Sequence, residues 1–435
     1  MLIEQYIFIT IFFAGFAFFI YIHIAYPFWV HMPVSHHYDL HHRLFSNKGI
    51  NVLQQYPYRN KWVCSSGTRT GGTKTVSYHD STDVVKDHVL DQLNCNYIPS
   101  DSILFTIEKK HLDVLFSGHF DTPFVTTYIY NTFVKTAEGP TEQKTLGCVA
   151  SYPVRILYHN EKTASNFMVF LACDRENPKK KEITRNLIAT HEYNSRNRVT
   201  DIKTTILKKH TGSCAGVKPL LEFSTTLYYI GSANLAKHTK GPTNSMQVEQ
   251  VYRQNWSLMQ DIADLLPRLF EFCAYMDVGA LKARVDAGQL WIFCLKHEGS
   301  IVAAYFIEDA MMLYEKVNDY GGKTLNLMAS ICNMSNLLRS DGSKLRRSDG
   351  SEGPQGPQGP QGPQGPFVKG FAECLALIQK QNRDYTMLLM DDIGHNQILA
   401  KQTPFAPLVK TTGAYYMING FTNMPINADR AFIVM

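Results

Sequence analysis

Residues 145–173 read TLGCVASYPVRILYHNEKTASNFMVFLAC. Three runs within this stretch, 145–150, 153–158 and 167–173, are rich in β-branched and aromatic residues and read as strands. The segment that follows, 181–195 (KEITRNLIATHEYNS), carries apolar residues at Ile183, Leu187 and Ile188 and reads as a helix. Further strands are expected at 102–107 and 225–230, and the polar stretch 234–246 reads as a linker. A second set of elements follows it. Residues 256–277 are helical in period, with Pro267 as a break or kink. Residues 290–295 and 301–307 form a hairpin pattern around Glu298 and Gly299. A strand at 324–332, a helix at 367–380, a strand at 385–390 and a short helix at 394–402 come next. Two strands, at 414–419 and 430–435, close the chain. The alternation of strand and helix thus recurs in two halves and defines an α/β (α+β) protein.

Composition narrows the function classes. At 435 residues the chain is long enough for two or three domains. Hydrophobic residues make up 45%, which excludes a mostly disordered chain. A mean hydropathy of -0.18 excludes a polytopic membrane protein but not a single anchor. The net charge of +5 is mild for this length, so no nucleic-acid partner is expected. The nine cysteines form no C-x-x-C pair and read as free thiols in a reducing compartment.

From Tyr6 to Val30 the chain reads YIFITIFFAGFAFFIYIHIAYPFWV, without a formal charge. A helix of this length spans about 30 Å of hydrocarbon. A cleaved signal peptide is the competing reading, but the run is long for one and follows Glu4 rather than a basic residue. Arg43, Lys48, Arg59 and Lys61 lie on the C-terminal side, so a single-pass anchor with the large domain in the cytosol is expected. Residues 35–42 (SHHYDLHH) hold four histidines and Asp39. They fit either a metal site or a polar interfacial segment, and the second reading is preferred. Between Arg339 and Phe367, Gly-Pro-Gln repeats begin at Gly353. This is a collagen-like pattern, too short for a self-standing triple helix, so a solvated polyproline loop is favoured.

Several segments then fall into a familiar order. Tyr26, Phe28, Trp29, Pro33 and Val34 follow the apolar run. Asn94, Asn96, Tyr97 and Asp101 come next, then LGCVASYP from Leu146 to Pro153, Asn160-Glu161-Lys162 and Phe170-Leu171. Thr211, Lys218-Pro219, AYYMIN from Ala414 to Asn419, and Phe432 to Met435 complete the series. In order and spacing this series resembles the eukaryotic N-myristoyltransferases over residues 26–435. Collagen-like repeats inside such an enzyme resemble proteins of giant DNA viruses.

The resemblance implies two GNAT-like halves around a saddle-shaped mixed sheet, preceded by one transmembrane helix. The expected organisation is an anchor at 1–30, an interfacial segment at 31–60, and an acyl-CoA-binding half at 61–233. A peptide-binding half follows at 247–435 and carries the insert at 340–366. The implied reaction moves myristate from myristoyl-CoA to the N-terminal glycine amine of a protein. The acyl-CoA is a co-substrate, and no permanent cofactor and no metal are expected.

Acyl transfer to an amine needs donors for the developing oxyanion and a base for the ammonium proton. The resemblance assigns the donors to the main-chain N–H groups of Phe170 and Leu171, the base to the carboxylate of Met435, and help in placing the amine to Thr211. The apolar ending AFIVM suits a docked terminus. Tyr26, Phe28 and Trp29 are assigned to acyl-CoA, with Lys179, Lys180 and Lys181 for its phosphates, and Tyr97, Asp101 and Tyr415 to the peptide. The chain departs from the family pattern at Val169, where an Asn is usual. Asp174, Glu176 and Pro178 stand in the phosphate loop, and the acidic run shrinks to Asp101. A catalytically inactive relative and a structural surface protein are the alternatives.

Overall fold

The computed structural model describes residues 2–39, 49–64, 71–98, 102–132, 142–199, 201–231, 235, 246–317, 320–333, 365–422 and 424–435. Asp101, His41, His42, nearly all of the 234–246 linker and the collagen-like repeats up to residue 364 lie outside them.

The first strands in chain order are β1 (Asn51–Val52), β2 (Gly71–Ser77), β3 (Ile103–Phe105), β4 (Phe124–Thr132), β5 (Glu142–Tyr158) and β6 (Glu161–Cys173). Next come β7 (Thr204–Lys209), β8 (Leu221–Tyr229), β9 (Met246–Gln250), β10 (Phe272–Met276), β11 (Leu290–His297) and β12 (Ser300–Val317). The last are β13 (Tyr320–Cys332), β14 (Tyr385–Asp391), β15 (Ala406–Ile418), β16 (Gly420–Phe421) and β17 (Ala431–Val434). All but β1 and β16 join one mixed sheet, ordered β17-β10-β5-β6-β7-β15-β8-β14-β13-β12-β11-β9. β4 also pairs with β5, β2 with β4, and β3 with β12.

Two sequence expectations are corrected. The runs 145–150 and 153–158 belong to one strand, β5, which passes straight through Pro153. The outer edge of β5 pairs with β4 up to Ser151 and with β10 from Val154 onward. Pro153 falls in the gap between the two partners, where a missing N–H is tolerated. The helical stretch 256–277 is likewise split. The helix Ser257–Leu269 ends just after Pro267, and Phe272–Met276 becomes β10. Paired with β5 on one edge and β17 on the other, the segment FCAYM buries four of its five residues. That burial outweighs its helical periodicity.

The β5–β6 hairpin turns at His159 and Asn160, with φ of 49° and 65°. Two consecutive left-handed residues give the turn type that matches strand twist, and Asn tolerates the conformation. Glu298 and Gly299 do the same at 49° and 78° between β11 and β12. β2 and β4 were not foreseen, because their cores are built of threonine. Thr73, Thr75, Thr126 and Thr127 are all buried.

In the N-terminal helix Leu2–Ala25, nearly every apolar side chain from Tyr6 onward is exposed. By length and composition, Gln5–Ala25 could cross a membrane, and 6% of it is buried. All nine cysteines are unpaired.

The helix Lys180–Arg198 packs Ile183, Leu187 and Ile188 into an apolar cluster shared with β5 and β7. Its polar face is also buried. His191 shares hydrogen bonds with Ser151 Oγ at 2.8 Å and Thr126 Oγ1 at 2.9 Å. Thr126 in turn bonds Thr75 at 2.8 Å, and Asn194 Nδ2 donates to Thr75 Oγ1 at 2.9 Å. Burial pushes the His191 pKa down to about 3. In the unfolded chain the same group takes up a proton near its ordinary value of about 6.5. The stabilisation is therefore complete above that value and is lost as pH falls toward the folded pKa. Between about pH 7.5 and about pH 5 the loss from this one group is about 2 kcal/mol. Urea midpoints at the two pH values measure it. His191→Gln should flatten that part of the profile, and an unchanged slope in the variant would refute the assignment.

Candidate functional site

The register between β5 and β6 breaks at one point. Cys148 faces Ala172, and the next pair is Ala150 with Val169. β6 therefore advances three residues where β5 advances two, which is a β-bulge. Phe170 and Leu171 lie in it, outside the paired rows, and Phe170 is left-handed at φ 56°. An aromatic residue in that conformation costs about 1 kcal/mol or more. The packing around it offsets that cost. The Phe170 ring lies 5.4 Å from Tyr97, 6.3 Å from Phe105 and 6.4 Å from Phe116. The Cys148 thiol donates to the Phe170 carbonyl at 3.8 Å. Burial raises the Cys148 pKa to about 12, so it is a structural thiol rather than a nucleophile.

The bulge also divides two apolar clusters. Phe170 and Val169 pack on the cluster that holds Tyr97, Phe432 and Met435. Leu171 packs on the one that holds Phe28, Val149, Ile183 and Leu187. Adjacent residues of one strand thus face different compartments.

On the first side, β17 runs parallel to β10, with Ala431 to Val434 all buried. Phe432 packs on Phe270 at 5.4 Å and on Phe306 at 5.5 Å. Both strands point along β5 from Tyr158 toward Val154, the direction in which β5 reaches the bulge. Met435 is half-buried at the leading end of β17.

On the second side, the Phe28 ring meets Trp29 at 4.8 Å and Trp62 at 5.8 Å. The Tyr26 ring fills the space beside Gly216, whose φ is 80°, and a Cβ there would sit 3.1 Å from the ring. Lys179, Lys180 and Lys181 are exposed at the start of the helix Lys180–Arg198. No carboxylate pairs with them among the described residues. Asn177 Oδ1 accepts from the Lys179 N–H at 2.9 Å, which closes the turn across Pro178. Asp174 is drawn to Lys144 at 3.0 Å.

The remaining predicted residues come from other elements. Tyr97 ends the helix Asp83–Asn96, with Phe105 4.8 Å away, and burial raises its pKa. Tyr415 is buried on β15, 5.2 Å from Phe223. Thr211 lies in the exposed turn that follows β7, whose parallel pairing with β6 runs from Thr204 beside Ser165 to Leu207 beside Met168 and so heads toward the bulge. Asn94 clamps Ile107 through both main-chain groups, at 2.8 and 3.2 Å, a structural duty. Among the described residues no group of side chains could hold a metal ion.

One polar cluster was missed from the sequence. Lys208 on β7 donates to Asp391 at 2.6 Å, and Asp391 also accepts from Thr225 at 2.6 Å. The ammonium lies 5.6 Å from the Tyr415 ring and 5.2 Å from that of Phe223. Burial disfavours the Lys208 charge, but Asp391 and Tyr415 more than offset it and raise its pKa. Burial lifts Tyr415 to about 12. A charge near the end of each of two apolar strands was the only available signal.

No protein-family model matches the sequence, and no curated protein is similar to it by sequence. Solved structures are. Saccharomyces cerevisiae N-myristoyltransferase with bound myristoyl-CoA superposes at a TM-score of 0.63 and 12% identity, covering 94% of this chain and 99% of that one. Another structure of the yeast enzyme with myristoyl-CoA gives 0.64, with 94% and 93% covered. A third, with myristoyl-CoA and inhibitors, gives 0.62, with 93% and 91% covered. This chain has the N-myristoyltransferase fold.

Proposed function

We propose that the chain is a membrane-anchored acyltransferase. It would move a long-chain acyl group from acyl-CoA to the N-terminal glycine amine of a protein. The observation that carries this reading is the bulge on β6, with Phe170 and Leu171 outside the ladder at the seam between two apolar compartments.

In this reading the acyl-CoA lies on the Leu171 side, against Tyr26, Phe28 and Trp29. Its phosphates meet the exposed lysines at 179–181 and the start of the helix behind them. The peptide lies on the Phe170 side, near Tyr97 and Tyr415. The amine nitrogen attacks the thioester carbon. The carbon–nitrogen bond forms, and charge gathers on the carbonyl oxygen, where the main-chain N–H groups of Phe170 and Leu171 donate to it. The carbon–sulfur bond then breaks, the nitrogen gives its remaining surplus proton to the departing sulfur, and coenzyme A leaves as the thiol. The Met435 carboxylate takes the ammonium proton before attack. A myristoyl chain alone binds membranes marginally, so an anchored enzyme would release its product at the surface that product must find.

A second reading, an inactive relative that still binds acyl-CoA, is favoured by one observation: Val169 puts an apolar side chain next to the bulge.

Incubation of the full chain with myristoyl-CoA and glycine-first peptides, read by mass spectrometry, tests the proposal. Replacing the Leu171 amide by an ester removes one donor and leaves the side chain in place. It should lower kcat by about 100-fold or more. Appending one residue after Met435 moves the carboxylate and should lower kcat by about 100-fold or more, with acyl-CoA binding unchanged. Lys179→Glu, Lys180→Glu and Lys181→Glu together should weaken acyl-CoA binding about tenfold or more, an effect that shrinks in salt. Saturable acyl-CoA binding without product would establish the inactive reading instead.

A further inference from the structure

We propose that the body of the protein lies against the bilayer through a second contact, an aromatic and cationic collar that fits anionic phospholipid headgroups. This rests on the reading of Gln5–Ala25 as a membrane span. The collar adjoins the C-terminal end of that helix.

The first observation is depth. The Tyr38 ring meets the Phe18 ring edge-on at 5.9 Å. Phe18 stands about 10 Å before Ala25 along the helix at the α-helical rise. Tyr38 belongs to the body, since the His36 ring beneath it stacks at 4.7 Å and His36 bridges to Val217. A helix inserted to Ala25 therefore carries Tyr38 about 10 Å below the helix end, so the body around it meets the lipid at or below headgroup level.

The second observation is the segment 53–62. Asn60 Nδ2 donates to the His31 carbonyl at 3.0 Å, which ties the segment to the chain just past the helix. It ends at Trp62, whose ring packs on Phe28. Yet Tyr56 is 80% and Tyr58 69% exposed, although nothing in their backbone requires it. Lys61 Nζ lies 5.4 Å from the Trp62 ring, and the Arg185 guanidinium lies 5.3 Å from it. With Tyr21 and Tyr26 in edge contact at 6.3 Å, tyrosine, tryptophan and cationic groups converge at one end of one apolar helix. Tyrosine and tryptophan are the residues that settle at headgroup level, and basic residues beside them are drawn to an anionic leaflet. The collar also adjoins Phe28, so the contact would hold the acyl-CoA side of the seam toward the lipid.

The test uses the full chain in lipid nanodiscs. Tyr58→Trp, at an exposed position, adds one emitter without disturbing the core. Its emission is taken as the difference from the parent chain. In discs of phosphatidylcholine and phosphatidylserine, the added emission should be lost to lipids brominated near the glycerol, and less so to lipids brominated near the chain ends. Lys61→Glu should reduce the quenching in the anionic discs and leave it unchanged in discs of phosphatidylcholine alone. Added emission that is equal in brominated and ordinary discs would overturn the collar. Quenching indifferent to phosphatidylserine and to Lys61→Glu would overturn its preference for anionic headgroups. A chain that fails to co-purify with the discs would instead refute the membrane span, a separate outcome from an anchored chain whose collar is unquenched.

Discussion

One strand edge governs the architecture. β5 must serve β4 along its first half and β10 along its second, on the same side, while β6 covers the other side. A sheet edge cannot pass from one partner to another without a gap, and here the gap falls at Tyr152 and Pro153. β10 in turn offers its far edge to β17, so the end of the chain is delivered into the middle of the molecule by ladder hydrogen bonds. Remove the handover, and the C-terminal strand has no place to form.

Much of this was legible in the sequence, and the illegible parts have physical reasons. Strands with β-branched and aromatic runs were readable, as were the hairpin turns at Asn160 and at Glu298-Gly299 and the helix carrying Ile183 and Leu187. β10 was not, because FCAYM extends a helical periodicity, and only pairing on both edges makes it a strand. β2 and β4 were not, because their buried positions are threonines, and Thr75 finds its partner in Thr126, 51 residues away. The bulge left no mark, since Phe170 at positive φ is an unusual choice sustained by three aromatic neighbours distant in the chain. Asp391 was missed because its partner Lys208 comes from another strand 183 residues earlier.

The Lys208–Asp391 pair illustrates what such burial implies. Removing one member of a buried pair leaves an uncompensated charge, whereas the intact pair contributes little net stability. Its effect is to lock position. β15 and β8 lie between the strands that carry the two charges, and Tyr415 and Thr225 from those strands complete the cluster. The pair therefore pins four neighbouring strands in register, beside the aromatic side chains that would meet a peptide.

The proposed chemistry also bears on how a fold persists at 12% identity. Donors that belong to the main chain place no demand on which side chain occupies Phe170 or Leu171, and a base that is a terminal carboxylate places none on the last residue's type. What must persist is geometry: one extra residue in β6, a C-terminal strand seated on β10, and two apolar compartments on either side. Each can be met by many sequences, because a bulge is held by packing and a strand by its ladder. A site of this kind loses its sequence signature faster than one built on a histidine or a cysteine. The backbone then retains a likeness to the yeast enzyme that no family model of the sequence detects.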